Sequence, residues 1–186
     1  GENMENSYSF QSPIGFLTIC EQDNQLTRLY LDNQDRGILQ SRNFEYHSDF
    51  LHEVYHQLNE YFAGKRKIFD LPVDSKGTAF QKAVWRELQK IPYGETRSYE
   101  DIAVAIGNKK AVRAIGQANG RNPIMIVVPC HRVIRKNGDI SGFACGVEAK
   151  RYLLNLEREN SINHRQGKSE KNSVLQYAAS SKLLTK

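Results

Sequence analysis

Along the chain the apolar residues change period several times, and each change marks an element. Tyr8-Ser9-Phe10 and Phe16 to Glu21 alternate around the turn Ser12-Pro13-Ile14-Gly15, and Leu26 to Leu31 follows the turn Asp23-Asn24-Gln25. Period-two alternation between turn residues predicts a three-stranded antiparallel meander, with Cys20 as a small core residue. After Ser48, a helix-capping residue, the period becomes helical: Leu51, Val54, Tyr55, Leu58 and Phe62 line one stripe, ended by Ala63-Gly64. Leu71 to Gly77 reads as a linker. Thr78 and Gln81 form a capping-box signature ahead of the stripe Phe80, Val84, Trp85, Leu88, and Trp85 reads as a core residue. Ser98 and Asp101 open a short helix closed by Gly107, and another runs from about Lys109 to Asn119, stopped by Gly120. Two short helices around a glycine turn have the form of a helix-turn-helix, although a plain helical hairpin fits the spacing equally. The apolar run from Asn122 to Val128, closed by Pro129, reads as a buried core strand. Asn137-Gly138 is a hairpin-turn signal, Ile140 to Gly146 a loop, and Val147 to about Glu159 a last helix. That helix buries Val147, Leu153, Leu154 and Leu156, which leaves Glu157 on the edge of the buried face.

These elements predict an α/β N-terminal domain, a small antiparallel sheet plus a helix, over residues 1–72. A mainly helical C-terminal domain with a helix-turn-helix follows over 73–160, and a polar, basic tail over 161–186.

Composition narrows the class. The 186 residues can hold one or two small domains with a real core. With no 18-residue apolar run and no charged-then-apolar leader, a soluble cytoplasmic protein without a membrane partner is expected. Three cysteines, Cys20, Cys130 and Cys145, are an odd number, which argues against a disulfide framework. The formal charge of +5 is unevenly spread: residues 102–138 carry Lys109, Lys110, Arg113, Arg121, Arg132, Arg135 and Lys136 and no acid. Such a stretch is the electrostatic footprint of a polyanion-binding surface, or a solvated basic face. His52 and His56 stand at i, i+4, a metal-capable spacing, but no further ligands gather beside them, so no metal is expected.

The candidate chemistry lies in Pro129-Cys130-His131-Arg132. A core strand leading into Cys130 would hold the thiol at a fixed address, and two cationic neighbours would favour the nucleophilic thiolate. The helix from Lys109 presents Ala111, Ala114 and Ala118 with Gly116 beside them, and Arg113 is the one long side chain in its centre. A small-residue face allows close approach to a partner, either a packed helix or a nucleic-acid groove.

Asn122-Pro123 leading to Pro129-Cys130-His131-Arg132 closely resembles the active-site motif of the O6-alkylguanine-DNA alkyltransferases. The resemblance covers residues 75–159 well and the first seventy loosely. It implies a DNA-handling Tyr99, an intercalating Arg113, an asparagine hinge at Asn122 and a Cys130-His131-Glu157 relay. It further implies a helix pressed into the DNA minor groove through Ala111, Ala114 and Gly116, with Arg121 and Arg132 among the DNA contacts. Met125, Val128, Pro129, Phe143, Ala144 and Cys145 would form the substrate pocket. Two residues depart from the family pattern: Cys145 replaces an expected glycine, and Met125 stands where some members have proline. Phe143 can stack on a base but offers no hydroxyl.

The resemblance implies a monomer that acts on double-stranded DNA carrying O6-alkylguanine, with O4-alkylthymine a further candidate. The base would be flipped out and its alkyl group transferred irreversibly to Cys130, with His131 drawing the proton through a water and with no cofactor. Two other readings share the motif. A Cys-His hydrolase or acyl transferase would turn over, and a non-catalytic alkylation-damage sensor would use the same scaffold without transfer.

Overall fold

The computed structural model describes residues 5–32, 48–140 and 146–162. The expected meander is present as β1 (Asn6–Ser12), β2 (Gly15–Gln22) and β3 (Gln25–Leu31), antiparallel in the order β1-β2-β3. Ser12 makes the first turn: its hydroxyl donates to the Gly15 carbonyl at 2.6 Å and accepts from the Ile14 amide at 3.2 Å. One face of the sheet buries Leu17, Ile19, Leu26 and Leu29 against Leu51, Val54 and Leu58 of α1 (Asp49–Phe62). Ser48 caps α1, accepting from the Leu51 amide at 3.2 Å.

In the second half, α2 (Ala79–Gln89) and α3 (Tyr99–Ala105) both open with the capping boxes that Thr78/Gln81 and Ser98/Asp101 predict. α4 (Val112–Gly120) follows a turn in which Gly107 has φ +76°, a left-handed conformation that suits glycine. α3, this turn and α4 make up the helix-turn-helix. Trp85 is buried as expected, and its indole Nε1 donates to the Ala118 carbonyl at 2.9 Å, pinning α4 to α2. Ala118 therefore packs inward and leaves the predicted small outer face to Ala111 and Ala114. A two-residue strand β4 (Arg97–Ser98) pairs in parallel with β5 (Val133–Ile134). The last helix, α5, spans residues 147–162.

Two sequence expectations need correction. Residues 122–128 do not form a strand. The segment is buried at Ile124, Met125, Ile126 and Val128, but it coils through turns, with Val128 N donating to Ile124 O at 3.0 Å and Ile126 at φ +69°. An apolar run is required by burial, and burial alone does not specify extended backbone. The expected linker also does more than connect. Leu26 N donates to Pro72 O at 2.9 Å and Asp74 N to Leu26 O at 2.8 Å, so this segment pairs with β3. Further along β3, Leu29 N donates to Pro123 O at 2.9 Å and Met125 N to Leu29 O at 3.0 Å. The edge of the small sheet thus holds the loop that leads to Cys130. One continuous hydrophobic cluster joins both halves, from Phe10 to Leu153.

Candidate active site

Asn122 sets the loop. Its Nδ2 donates to Val128 O at 2.7 Å and to Ile124 O at 3.3 Å, and its Oδ1 accepts from Ile124 N at 3.0 Å. One side chain therefore closes the coil from 122 to 128 on itself. Pro129 follows, and Cys130–Arg132 form a single 3₁₀ turn with all three residues buried. A turn of this kind sends consecutive side chains in different directions, which separates the three functions carried by neighbours in sequence.

His131 and Arg132 both turn toward Glu157 on α5. His131 Nε2 is hydrogen-bonded to Glu157 Oε2, and Arg132 Nε donates to Oε1 at 2.7 Å. Tyr61 from α1 donates its hydroxyl to Oε2 at 2.6 Å, and the Gly94 amide donates to Oε1 at 3.1 Å. Glu157 is 1 % exposed, so the expected edge position is corrected to full burial. Four donors make this tolerable, because a buried carboxylate survives when its oxygens are paired. Burial pushes the Glu157 carboxyl up, but the His131 and Arg132 hydrogen bonds and charges outweigh it and hold the group well below the usual carboxylate range.

Arg132 is corrected as well. Instead of facing DNA it is buried, with its guanidinium on Glu157, on the Ile91 carbonyl at 2.7 Å and over the Tyr93 ring at 5.7 Å. Its charge is needed inside, as the counter-ion of Glu157.

His131 is fully buried, and that burial pushes its pKa down against the upward pull of Glu157. The ring rests neutral. A carboxylate only accepts, so Nε2 carries the proton and Nδ1 presents its lone pair. Nδ1 is buried and has no hydrogen-bond partner among the described residues. The arrangement is a neutral base backed by a fixed anion.

The two sequence neighbours of Cys130 therefore do not supply the cations first expected, since one is neutral and the other is engaged by Glu157. Lys150 on α5, a residue that periodicity did not single out, is electrostatically coupled to Cys130. Its Nζ donates to Val133 O at 2.6 Å. Burial pushes the ammonium down to about 8, partly offset by Cys130 and Asp139. Cys130 itself is 3 % exposed. Cys20 is a poor rival: burial, and then a hydrogen bond with Glu5, push its thiol up to about 12.

Tyr99 opens α3 beside β5, with its ring against Gly116 of α4; a Cβ there would stand 3.9 Å from the ring. Burial raises its pKa, so the phenol keeps its proton. On α4, Arg113 and Ala114 are exposed and Ala111 is half-buried, with Gln117 on the exposed side as well. Arg121, Lys109, Lys110, Arg135 and Lys136 are also exposed. Met125, Val128 and Pro129 are buried beside the cysteine, whereas Phe143, Ala144 and Cys145 lie outside the described residues. The sequence reading missed Tyr61, Gly94, Lys150 and Asn119. Tyr61 is fully buried next to the stripe residue Phe62, and a tyrosine within a predicted buried face is the signal that could have found it. Among the described residues no cluster of His, Cys, Asp or Glu could hold a metal ion, and no helix is long and apolar enough to cross a membrane.

Comparison with known proteins bears on both halves. The family model of the 6-O-methylguanine DNA methyltransferase ribonuclease-like domain matches residues 7–75, and that of the DNA-binding domain matches residues 79–159. The constitutive methylated-DNA–protein-cysteine methyltransferase of Bacillus subtilis is 50% identical over 153 residues, covering 80% of this chain and 92% of that protein. Its namesake in Methanosarcina acetivorans is 46% identical over 148 residues, covering 80% and 95%. Among solved structures, the Mycobacterium tuberculosis O6-methylguanine methyltransferase matches with a TM-score of 0.74 at 43% identity, covering 84% of this chain and 94% of that one. That organism's OGT in complex with DNA matches with a TM-score of 0.72 at 44% identity, covering 83% and 93%.

Proposed function

This chain belongs to the 6-O-methylguanine DNA methyltransferase family, and from that premise we propose that it flips an O6-alkylguanine out of duplex DNA and takes the alkyl group irreversibly onto Cys130. Alkyl transfer from methylated DNA to a protein cysteine is its activity. The observation that carries the assignment to Cys130 is the buried turn that joins this thiol to His131, itself held on Glu157.

The alkyl carbon on guanine O6 lies inside the duplex, so the base must rotate out, at a cost of about a few kcal/mol. α4 approaches the minor groove on Ala111 and Ala114, and Arg113 enters the gap that the base leaves. A water bridging Cys130 Sγ and His131 Nδ1 passes the thiol proton to the imidazole, whose new charge Glu157 balances. The thiolate attacks the carbon, the C–S bond forms, and the C–O6 bond breaks with its electron pair on the guanine. Tyr99 donates its O–H to the developing charge. The thioether is a poor leaving group, so each molecule reacts once. The protein acts as a monomer in the cytoplasm, with O4-alkylthymine a further substrate.

The test mixes the full chain with a duplex bearing a single O6-methylguanine and follows intact mass, then maps the modified peptide. The expected result is a stoichiometric end point with one methyl group on Cys130. Methyl on Cys20 or Cys145, or continued turnover, overturns the assignment. Turnover would point instead to a hydrolase-like use of the same residues, and binding with no mass change to a damage sensor.

A further inference from the structure

Glu157 is reached from the first half of the chain as well as from the second. Tyr61 on α1 is fully buried, and its Oη donates to Glu157 Oε2 at 2.6 Å across 96 positions of sequence. His131 Nε2 is hydrogen-bonded to the same oxygen, whereas Arg132 Nε and the Gly94 amide take Oε1. A carboxylate only accepts, and burial together with the Glu157 charge keeps the phenol protonated, so Tyr61 is the donor. Its ring sits among Phe62, Phe69 and Tyr93, with centroids 5.5, 5.4 and 6.1 Å away. A phenylalanine would fill that place equally, so packing explains the ring but not the hydroxyl. The two family domains cover residues 7–75 and 79–159. The hydroxyl therefore comes from the ribonuclease-like half, and the nucleophile from the DNA-binding half.

Sharing an oxygen has a consequence for His131. Both donors on Oε2 draw on the same negative charge, so the phenol O–H weakens the hold of that oxygen on the imidazole. The turn that carries His131 is fixed from another side, where Asn119 Nδ2 of α4 donates to the Cys130 carbonyl at 3.3 Å. What Tyr61 alters is then the charge that the ring feels, more than its place. We propose that Tyr61 is a positioning residue of the transfer reaction, supplied by the first half of the chain: it takes up part of the Glu157 charge, so that His131 rests neutral with Nδ1 ready for the Cys130 proton. The inference deepens the alkyl transfer proposed above and rests on it. The other charged or titratable groups facing this pair are Arg132 and Cys130 in the same turn, Lys150 on α5 and Tyr93 after α2. Arginine carries its charge throughout. The Lys150 ammonium titrates near 8, burial raises the Tyr93 phenol, and Glu157 is held well below the usual carboxylate range. The His131 ring is therefore best followed by its own signal.

The test is a pH titration by NMR of the full chain carrying isotope-labelled histidine, without DNA, with the His131 signal assigned by its loss in His131→Asn. The same proteins are then followed for the first-order rate of methyl uptake from a saturating duplex containing one O6-methylguanine. Tyr61→Phe leaves Oε2 wholly to the imidazole. It is expected to raise the His131 midpoint by about one pH unit, a tenfold change in proton affinity. Transfer needs the neutral ring, so the acid limb of the rate profile should move up by the same amount, with the plateau above both midpoints retained. A 3-fluorotyrosine at position 61 keeps the shape and is a more acidic, stronger donor. It should move both midpoints the other way, and it decides alone should the phenylalanine variant not fold. A hydroxyl that only satisfied a buried anion would cost stability in Tyr61→Phe and leave the His131 midpoint in place, and that result overturns the inference. Shifts of the same sign in the two proteins, or a His131 midpoint that moves without the rate profile, overturn it too. Absence of methyl uptake by the wild-type chain would instead sink the underlying functional reading, while the titration without DNA still reports on Tyr61.

Discussion

Glu157 shows how one residue can organise a site. Its carboxylate gathers donors from α1, from the Gly94 turn and from both residues after Cys130. Removing it leaves a buried guanidinium without its anion, so Glu157→Ala should destabilise the fold by about 3–5 kcal/mol, measured by urea denaturation. The pH dependence has a definite sign. Folding lowers the His131 pKa from 6.5 and the Glu157 pKa from 4.5. Below each of these values the unfolded chain binds more protons than the folded one, so stability falls as pH falls. Both contributions are fully present above about pH 6.5. The urea midpoint should therefore be flat between about pH 6.5 and the onset of Lys150 titration near 8, and decline below 6.5, with the part of the decline below 4.5 reduced in Glu157→Gln. A midpoint that rises on acidification through this range would contradict the assignment.

At the scale of the element, α4 separates its faces by side-chain size. Ile115, Ala118 and Asn119 face the core, whereas Arg113 stands exposed next to Ala114. Arg113 lies on the outer side and has no part in the Glu157 cluster, which suits its proposed role of replacing an extruded base. Arg113→Ala should slow repair of duplex DNA far more than reaction with free O6-benzylguanine, provided that base enters the pocket. Equal losses on the two substrates would refute the division between extrusion and chemistry. The capping boxes that begin α2 and α3 were legible because they are local: Thr78 and Gln81, and Ser98 and Asp101, satisfy amides within their own first turn. The coil at 122–128 was not legible, because its form depends on the Asn122 side chain and on pairing with β3, about a hundred residues earlier in the chain.

For the whole molecule, the basic footprint between residues 109 and 136 survives with one deletion. Lys109, Lys110, Arg113, Arg121, Arg135 and Lys136 are exposed, and Arg132 is not. Neutralising about four to six phosphates predicts a log-log salt slope of about −4 to −5 for binding to undamaged duplex. Arg121→Ala should make that slope shallower by about one, while Arg132→Ala should act on stability instead. A flat salt response, or strong preference for one undamaged sequence, would remove DNA backbone contacts as the source of binding. The motif around Cys130, the strand and helix periods, the caps and the charge distribution were all determined by the sequence itself, since each is a property of neighbours or of a repeating spacing. Which way the side chains around Cys130 turn was decided only by tertiary structure. Tyr61 meets Glu157 across 96 positions, Arg132 leaves the DNA face, and Lys150 comes to lie in the field of Cys130. A buried charge must find its counter-charge wherever the fold brings one, and no local pattern records that meeting.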